Sequence, residues 1–219
     1  MASKFDGVAD DAQRLTALTT EHFGLAGARS QAASESASRS ALFLGSVSSA
    51  LIALGLTAQV SSGGTVFRVF ALVALPTVFV LGVFTFVRLV ELGIEDFLLG
   101  RAINRIRHYY LEQAGETRRY FMLSGNDDAP GVMANMGMRP STWQLYFTAA
   151  IAVAVVDAVI GGAAVALAVG IAFGTSLAVA VLVGAAVAVI VVAVALRFQH
   201  TRREAGTVQP VLFPSDGAA

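Results

Sequence analysis

Four stretches of this chain, residues 41–59, 66–89, 145–169 and 176–196, are apolar over about the 20 residues a helix needs to cross the hydrocarbon core of a bilayer. A backbone inside lipid must satisfy its own N–H and C=O groups, so such runs form helices. Composition agrees: 56% of residues are hydrophobic and 14% charged, against about 45–50% and about 25% in ordinary globular chains. A charge deficit alone fits a large buried core; the uninterrupted runs point to lipid instead. The expected fold is an all-α polytopic membrane protein, a bundle of four transmembrane helices with cytoplasmic helical extensions.

The runs divide the chain into a cytoplasmic N-terminal helical segment (1–40), a first hairpin (41–90), a cytoplasmic amphipathic helix and loop (91–142), a second hairpin (143–198) and a cytoplasmic tail (199–219). No signal-peptide h-region follows Lys4, so the first span is expected to stay uncleaved and act as its own insertion signal. Orientation follows from the basic residues, which gather on the cytoplasmic side of membrane spans. Lys4, Arg14, Arg29 and Arg39 precede the first span. Arg88, Arg101, Arg105, Arg107, Arg118, Arg119 and Arg139 lie between the hairpins, and Arg197, Arg202 and Arg203 follow the last span. Only Arg68, near the outer end of the second span, breaks the asymmetry, and its long stem lets it snorkel outward. Both termini are therefore expected in the cytoplasm, in a bacterial inner membrane.

Local patterns refine this. Ala33, Ala37, Ala41, Gly45, Ser49, Ala53 and Thr57 recur every fourth residue, placing small side chains on one stripe of a helix that continues through the membrane boundary. Upstream, Leu15, Leu18, His22 and Leu25 keep a helical period. Ile94, Leu98, Ala102, Ile106 and Tyr109 extend the second span as an amphipathic helix, with Gly115 as its stop. Tyr120–Leu123 is a short apolar patch and Ser124–Gly131 a polar turn. Pro140 and Ser141 cap the third span, with Trp143 and Tyr146 at its interface. Beyond Arg203 the tail reads as disordered apart from an extended stretch at Val211–Phe213.

Asp157 is the one acid inside a span, about midway along the third. Ionisable residues at that depth face the bundle interior and often mark pathways. Counted from the span ends, Ser48, Ser49 and Thr77 lie at similar depth, and Pro76 cannot donate to the Leu72 carbonyl. These groups form a candidate intramembrane proton or cation site; the plainer reading is a neutral Asp157 carboxyl acting as packing glue. Ala41/Gly45/Ser49/Ala53 and Ala180/Gly184/Ala188 allow close helix approach, within the chain or in a homo-oligomer. Arg101, Arg105 and Arg107 are a candidate anionic-lipid contact, with a solvated helix face balanced by Glu91, Glu95, Asp96 and Glu112 as the plainer reading.

Other chemistry finds little support. There are no cysteines, and the formal net charge is zero, which gives no general case for nucleic acid as a partner. Asp127–Asp128, flanked by Gly125, Asn126, Pro130 and Gly131, reads as a turn. Met122, Met133, Met136 and Met138 have no nearby His or Cys to complete a copper site. His22, His108 and His200 lack metal-ligand spacing. No nucleophile elbow, Walker loop or dinucleotide fingerprint occurs, so neither a cofactor nor an enzyme activity is expected. Two functions remain: a membrane-anchored interaction or signalling component with a cytoplasmic protein partner, or a small homo-oligomeric channel or transporter using Asp157.

Overall fold

The computed structural model describes residues 2–60, 64–138, 148–206 and 209–215. Within these, α1 (Ala2–Val60) and α2 (Thr65–Gln113) are long unbroken helices, α3 (Ala129–Asn135) is short, and α4 (Ala149–Phe173) and α5 (Leu177–Gly206) form an antiparallel pair. A 3₁₀ helix covers Gly115–Tyr120. There is no strand among the described residues. Four of the helices are long and apolar enough to cross a membrane.

α1 stays helical through a serine-rich stretch because its hydroxyls are satisfied inside the helix. Ser46, Ser48, Ser49 and Thr57 each donate to the carbonyl four residues back, at 2.7–2.9 Å. The expected continuity of residues 31–59 is therefore found. α2 likewise runs through Pro76 and on into the amphipathic segment. It ends at Gln113, just before Gly115, whose φ of +51° suits glycine.

The second hairpin differs in detail from its expected limits. α4 continues past 169 to Phe173 and is ended by Gly174 at φ +59°, and α5 runs beyond 196 to Gly206. The break expected between 169 and 176 is thus narrowed to Gly174–Ser176. The start expected at 145, with Pro140, Ser141, Trp143 and Tyr146, lies outside the described residues, as do Ser61, Ser62 and Gly63. α4 begins instead with Thr148 as cap, its hydroxyl accepting from Ile151 N.

The chain divides into two compact units. One combines Met1–Ser34, Gly93–Gln144 and Thr207–Ala219; the other combines Glu35–Leu92 and Leu145–Gly206. The three segments expected to be cytoplasmic thus fall largely into one unit, and the two hairpins into the other.

In the hairpin unit, Phe43, Ala71, Val153, Ala154 and Ala158 are buried, while Leu42, Ile52, Val66, Phe84, Leu182 and Val189 are exposed. α4 and α5 meet at Gly162 and Gly184, where a Cβ on either would come within 2.5 Å of the other's carbonyl oxygen. The Ala180/Gly184/Ala188 stripe is therefore used within the chain. At Gly45 of the first stripe, by contrast, a Cβ would meet nothing within 4 Å. Polar ties in this unit sit near Arg88, whose guanidinium binds Glu35 through two hydrogen bonds of 3.0 and 3.1 Å. Arg39 holds the same carboxylate at 2.7 Å. Hydrogen bonds from Arg88 and then Arg39 pull the Glu35 pKa down to about 2.

Candidate functional site

Asp157 is buried, and its carboxyl lies directly over Gly82 of α2, where a Cβ would overlap it; the Phe43 ring of α1 borders the same spot. This orientation toward the first two helices is the expected one. The companions differ. Ser48, Ser49 and Thr77 are exposed, and their hydroxyls donate to Leu44, Gly45 and Val73 carbonyls of their own helices. Pro76 is exposed as well. Similar depth along separate helices does not imply a shared face, so these groups do not gather around the carboxyl. Asp157 Oδ1 is buried with no hydrogen-bond partner among the described residues.

The polar centre of the other unit was not anticipated. Arg101, Asn104 and Arg105 of α2 share a helix stripe by their spacing of three and four. They meet the loop before α3 and the segment 209–215. Asp127 is fully buried and Arg101 only 4% exposed. Arg105 Nε donates to Asp127 Oδ2 at 2.6 Å, and Arg101 Nε donates to the Asp127 carbonyl at 2.8 Å. Both arginines also donate to the Pro210 carbonyl, and Arg101 to that of Gln209.

The tail answers with its amides. Leu212 N and Phe213 N donate to Asp127 Oδ1 at 3.0 and 2.8 Å, while Asp127 N donates to Phe213 O at 3.1 Å. Ser215 donates through both its N–H and its hydroxyl to Asp128 Oδ2. The Phe213 ring stacks on His108 at 3.7 Å between centroids and 15° between planes. Asp128 also caps α3 by accepting from Gly131 N at 2.9 Å. Asn135 ties the loop to α2 through the Asn104 carboxamide, and Asn104 in turn donates to Asn126 O. Two glycines permit the close approach: a Cβ on Gly125 would lie 2.7 Å from His108 Cα, and one on Gly131 2.5 Å from Asn126 O.

Burial by itself would push both carboxyls up. For Asp127, hydrogen bonds from Phe213 N, Arg105 and Leu212 N outweigh it and hold the group below its ordinary 3.8. For Asp128, Ser215 and Gly131 have the same effect.

Several expectations are corrected here. Asp127–Asp128 is more than a solvated turn: one aspartate is the buried centre of a network and the other a helix cap. The tail after Arg203 is helical to Gly206, and the stretch expected to be extended at Val211–Phe213 is instead bent at Leu212 and Phe213, which lets both amides reach one Asp127 oxygen. Arg101 is no solvated face and offers no surface to a lipid phosphate, since its guanidinium is buried against three carbonyls and a carboxylate. Arg105 is held by the same aspartate. Arg107 is half-buried and donates to Asn104 Oδ1 at 2.9 Å; desolvation, then the charge of Arg29, lowers its pKa. Arg29 itself pairs with Asp96 at 2.7 Å. Burial, then Arg107, lowers the pKa of His22 beside Tyr110.

The centre combines backbone-directed donors and acceptors with one stacking ring. That arrangement suits holding a bent main-chain segment. No protein-family profile, curated protein or solved structure matches this sequence.

Proposed function

We propose that the chain is a multi-pass inner-membrane protein serving as a membrane-anchored interaction or signalling component, with its partner surface on the unit built around Asp127. The observation that carries this reading is the bound segment 209–215, held by buried charged groups that contact chain rather than lipid. The apolar exteriors of α1, α2, α4 and α5 suit a lipid environment, and the one-sided arginines support cytoplasmic termini. In intact cells, single cysteines at Ser62 and Phe173 should react with a membrane-impermeant thiol reagent, and cysteines at Arg119 and Arg203 should not. Labelling at Arg119 or Arg203 would overturn the topology. A photo-crosslinker at Met122, 96% exposed, should capture a discrete cytoplasmic protein, and one at Val189 should capture lipid only. Equal protein adducts at both sites, or none at Met122, would overturn the interaction reading.

The unpartnered Asp157 oxygen favours a second reading, a homo-oligomeric channel or transporter. It requires ion or proton flux in liposomes that Asp157→Asn abolishes while the protein stays folded. Absence of flux in the wild type, or equal flux in the variant, sinks it.

A further inference from the structure

The energetics of the segment 209–215 differ from those of the elements it touches. Gln209, Pro210, Val211, Leu212 and Pro214 are exposed, and only Phe213 and Ser215 are half-buried. Little apolar area therefore holds the segment down, and that is the term that would make its release costly. What holds it is a set of hydrogen bonds to backbone atoms at five of its residues, plus one ring and one hydroxyl. If the segment left, water would reach the vacated donors and acceptors, while Arg105 and Arg101 would still balance Asp127. Hydrogen bonds to charged groups keep a larger contribution net of water than neutral ones do, so the contact is held by polar bonds that a segment offering the same groups replaces one for one.

The specificity of the contact is loose for the same reason. Carbonyls like those of Gln209 and Pro210 and amides like those of Leu212 and Phe213 exist in any chain that bends as this one does and is free of proline at the two amide positions. The side-chain demands reduce to an aromatic ring to stack on His108 and a hydroxyl two residues later for Asp128.

We propose that the cleft formed by Arg101, Arg105, Asp127 and Asp128 is a recognition site for a bent peptide segment of a partner protein, with residues 209–215 as its resident, displaceable occupant. This rests on the interaction reading above and names its ligand class: a segment with two free consecutive amides, an aromatic residue at the second, and a serine or threonine two positions further on. While the tail is seated the site is closed to partners; a partner segment opens it by competition.

The test uses the full chain in detergent or nanodiscs. Leu212→Pro with Phe213→Pro removes both amide donors from the tail and leaves the cleft intact. A fluorescent peptide of residues 209–215, acetylated and amidated at its ends, should bind this variant one to one and at least tenfold more tightly than it binds wild type. The same peptide N-methylated at its Leu and Phe amides should not bind. A folded variant that ignores the peptide, or equal binding of the N-methylated form, overturns the proposal. Should the variant lose its helical circular dichroism, the wild type serves instead: a spin label on Leu212→Cys should gain mobility with excess peptide and not with the N-methylated one. Immobility at saturating peptide overturns the proposal. A wild-type dimer that the double proline variant cannot form would assign the occupant to a second copy and overturn the partner assignment. None of these readouts depends on the Met122 crosslinks, so failure of the peptide site and failure of the interaction reading remain distinguishable.

Discussion

The α4–α5 pair and the unit around Asp127 close their interiors by opposite means. Between α4 and α5 there is almost nothing polar: Gly162 and Gly184 let the two backbones touch, and Ala180 and Ala158 are buried. Around Asp127 the burial is of charge, with Arg101, Asn104 and both aspartates withdrawn from water. In lipid, apolar side chains gain little by leaving one hydrocarbon environment for another, so close backbone packing of small residues drives helix association. In water, a unit made from three distant segments and few large apolar side chains relies on a connected polar network. Such a network is strong when complete and fragile when one member is lost. The same contrast predicts where each region breaks.

The largest effect is expected at Asp127. Asp127→Ala leaves Arg101 buried without its carboxylate and should destabilise the Asp127 unit by about 3–5 kcal/mol. Hydrogen exchange should accelerate in residues 97–113 and 129–135 while 150–195 keep their protection; unchanged protection in the first group would contradict the network. Ala37→Pro, in the middle of α1, should cost about 3 kcal/mol through a lost hydrogen bond and a clash with the preceding turn, read as lowered thermal stability in detergent. Gly184→Val forces a side chain against the Gly162 carbonyl, an overpacking of about 1–3 kcal/mol. A double-cysteine distance measurement across α4 and α5 should lengthen.

Acid separates the regions without mutation. The Asp127 and Asp128 pKa values are depressed, so their contribution is full above 3.8 and is lost as pH falls through the lower folded values. A label at Leu212→Cys should become mobile in that window while one at Val189→Cys does not. The smallest effect belongs to Gly45→Val. A Cβ there meets nothing within 4 Å, so stability should shift by less than about 0.5 kcal/mol. A large loss would mean that the α1 stripe is covered, as it would be in an oligomer.

What the sequence made legible follows from range. Helices α1, α2, α4 and α5 are written in local periodicity and in the length of apolar runs; their ends deviate where a cap intervenes, as at Gly174, or where a polar stretch stays helical, as in α5 beyond 196. The inward aim of Asp157 was legible because lipid leaves an acid few alternatives. The Asp127 centre was not. Asp127 is separated from Leu212 by 85 positions, and adjacent aspartates among Gly, Asn and Pro look locally like any turn. A fuller clue lay in Arg101 and Arg105, one turn apart on a helix, but their nearby acids offered a local balance that concealed the distant partner. The candidate gathering of Ser48, Ser49, Thr77 and Asp157 failed for a related reason: depth along an axis is readable from a sequence, whereas rotation about it depends on neighbours.

The unit around Asp127 also has an order of birth. Its three segments emerge from the ribosome far apart in time, at about 5–20 residues per second, with both hairpins made between the first segment and the last. Until residues 209–215 appear, Asp127 and Asp128 have their arginine and helix-cap contacts but no amides from the tail. The chain thus carries, at its late end, the piece that seals the unit its early end begins. A nascent chain stalled before that point would lack the carbonyl and amide contacts that residues 209–215 make to Arg101, Arg105, Asp127 and Asp128.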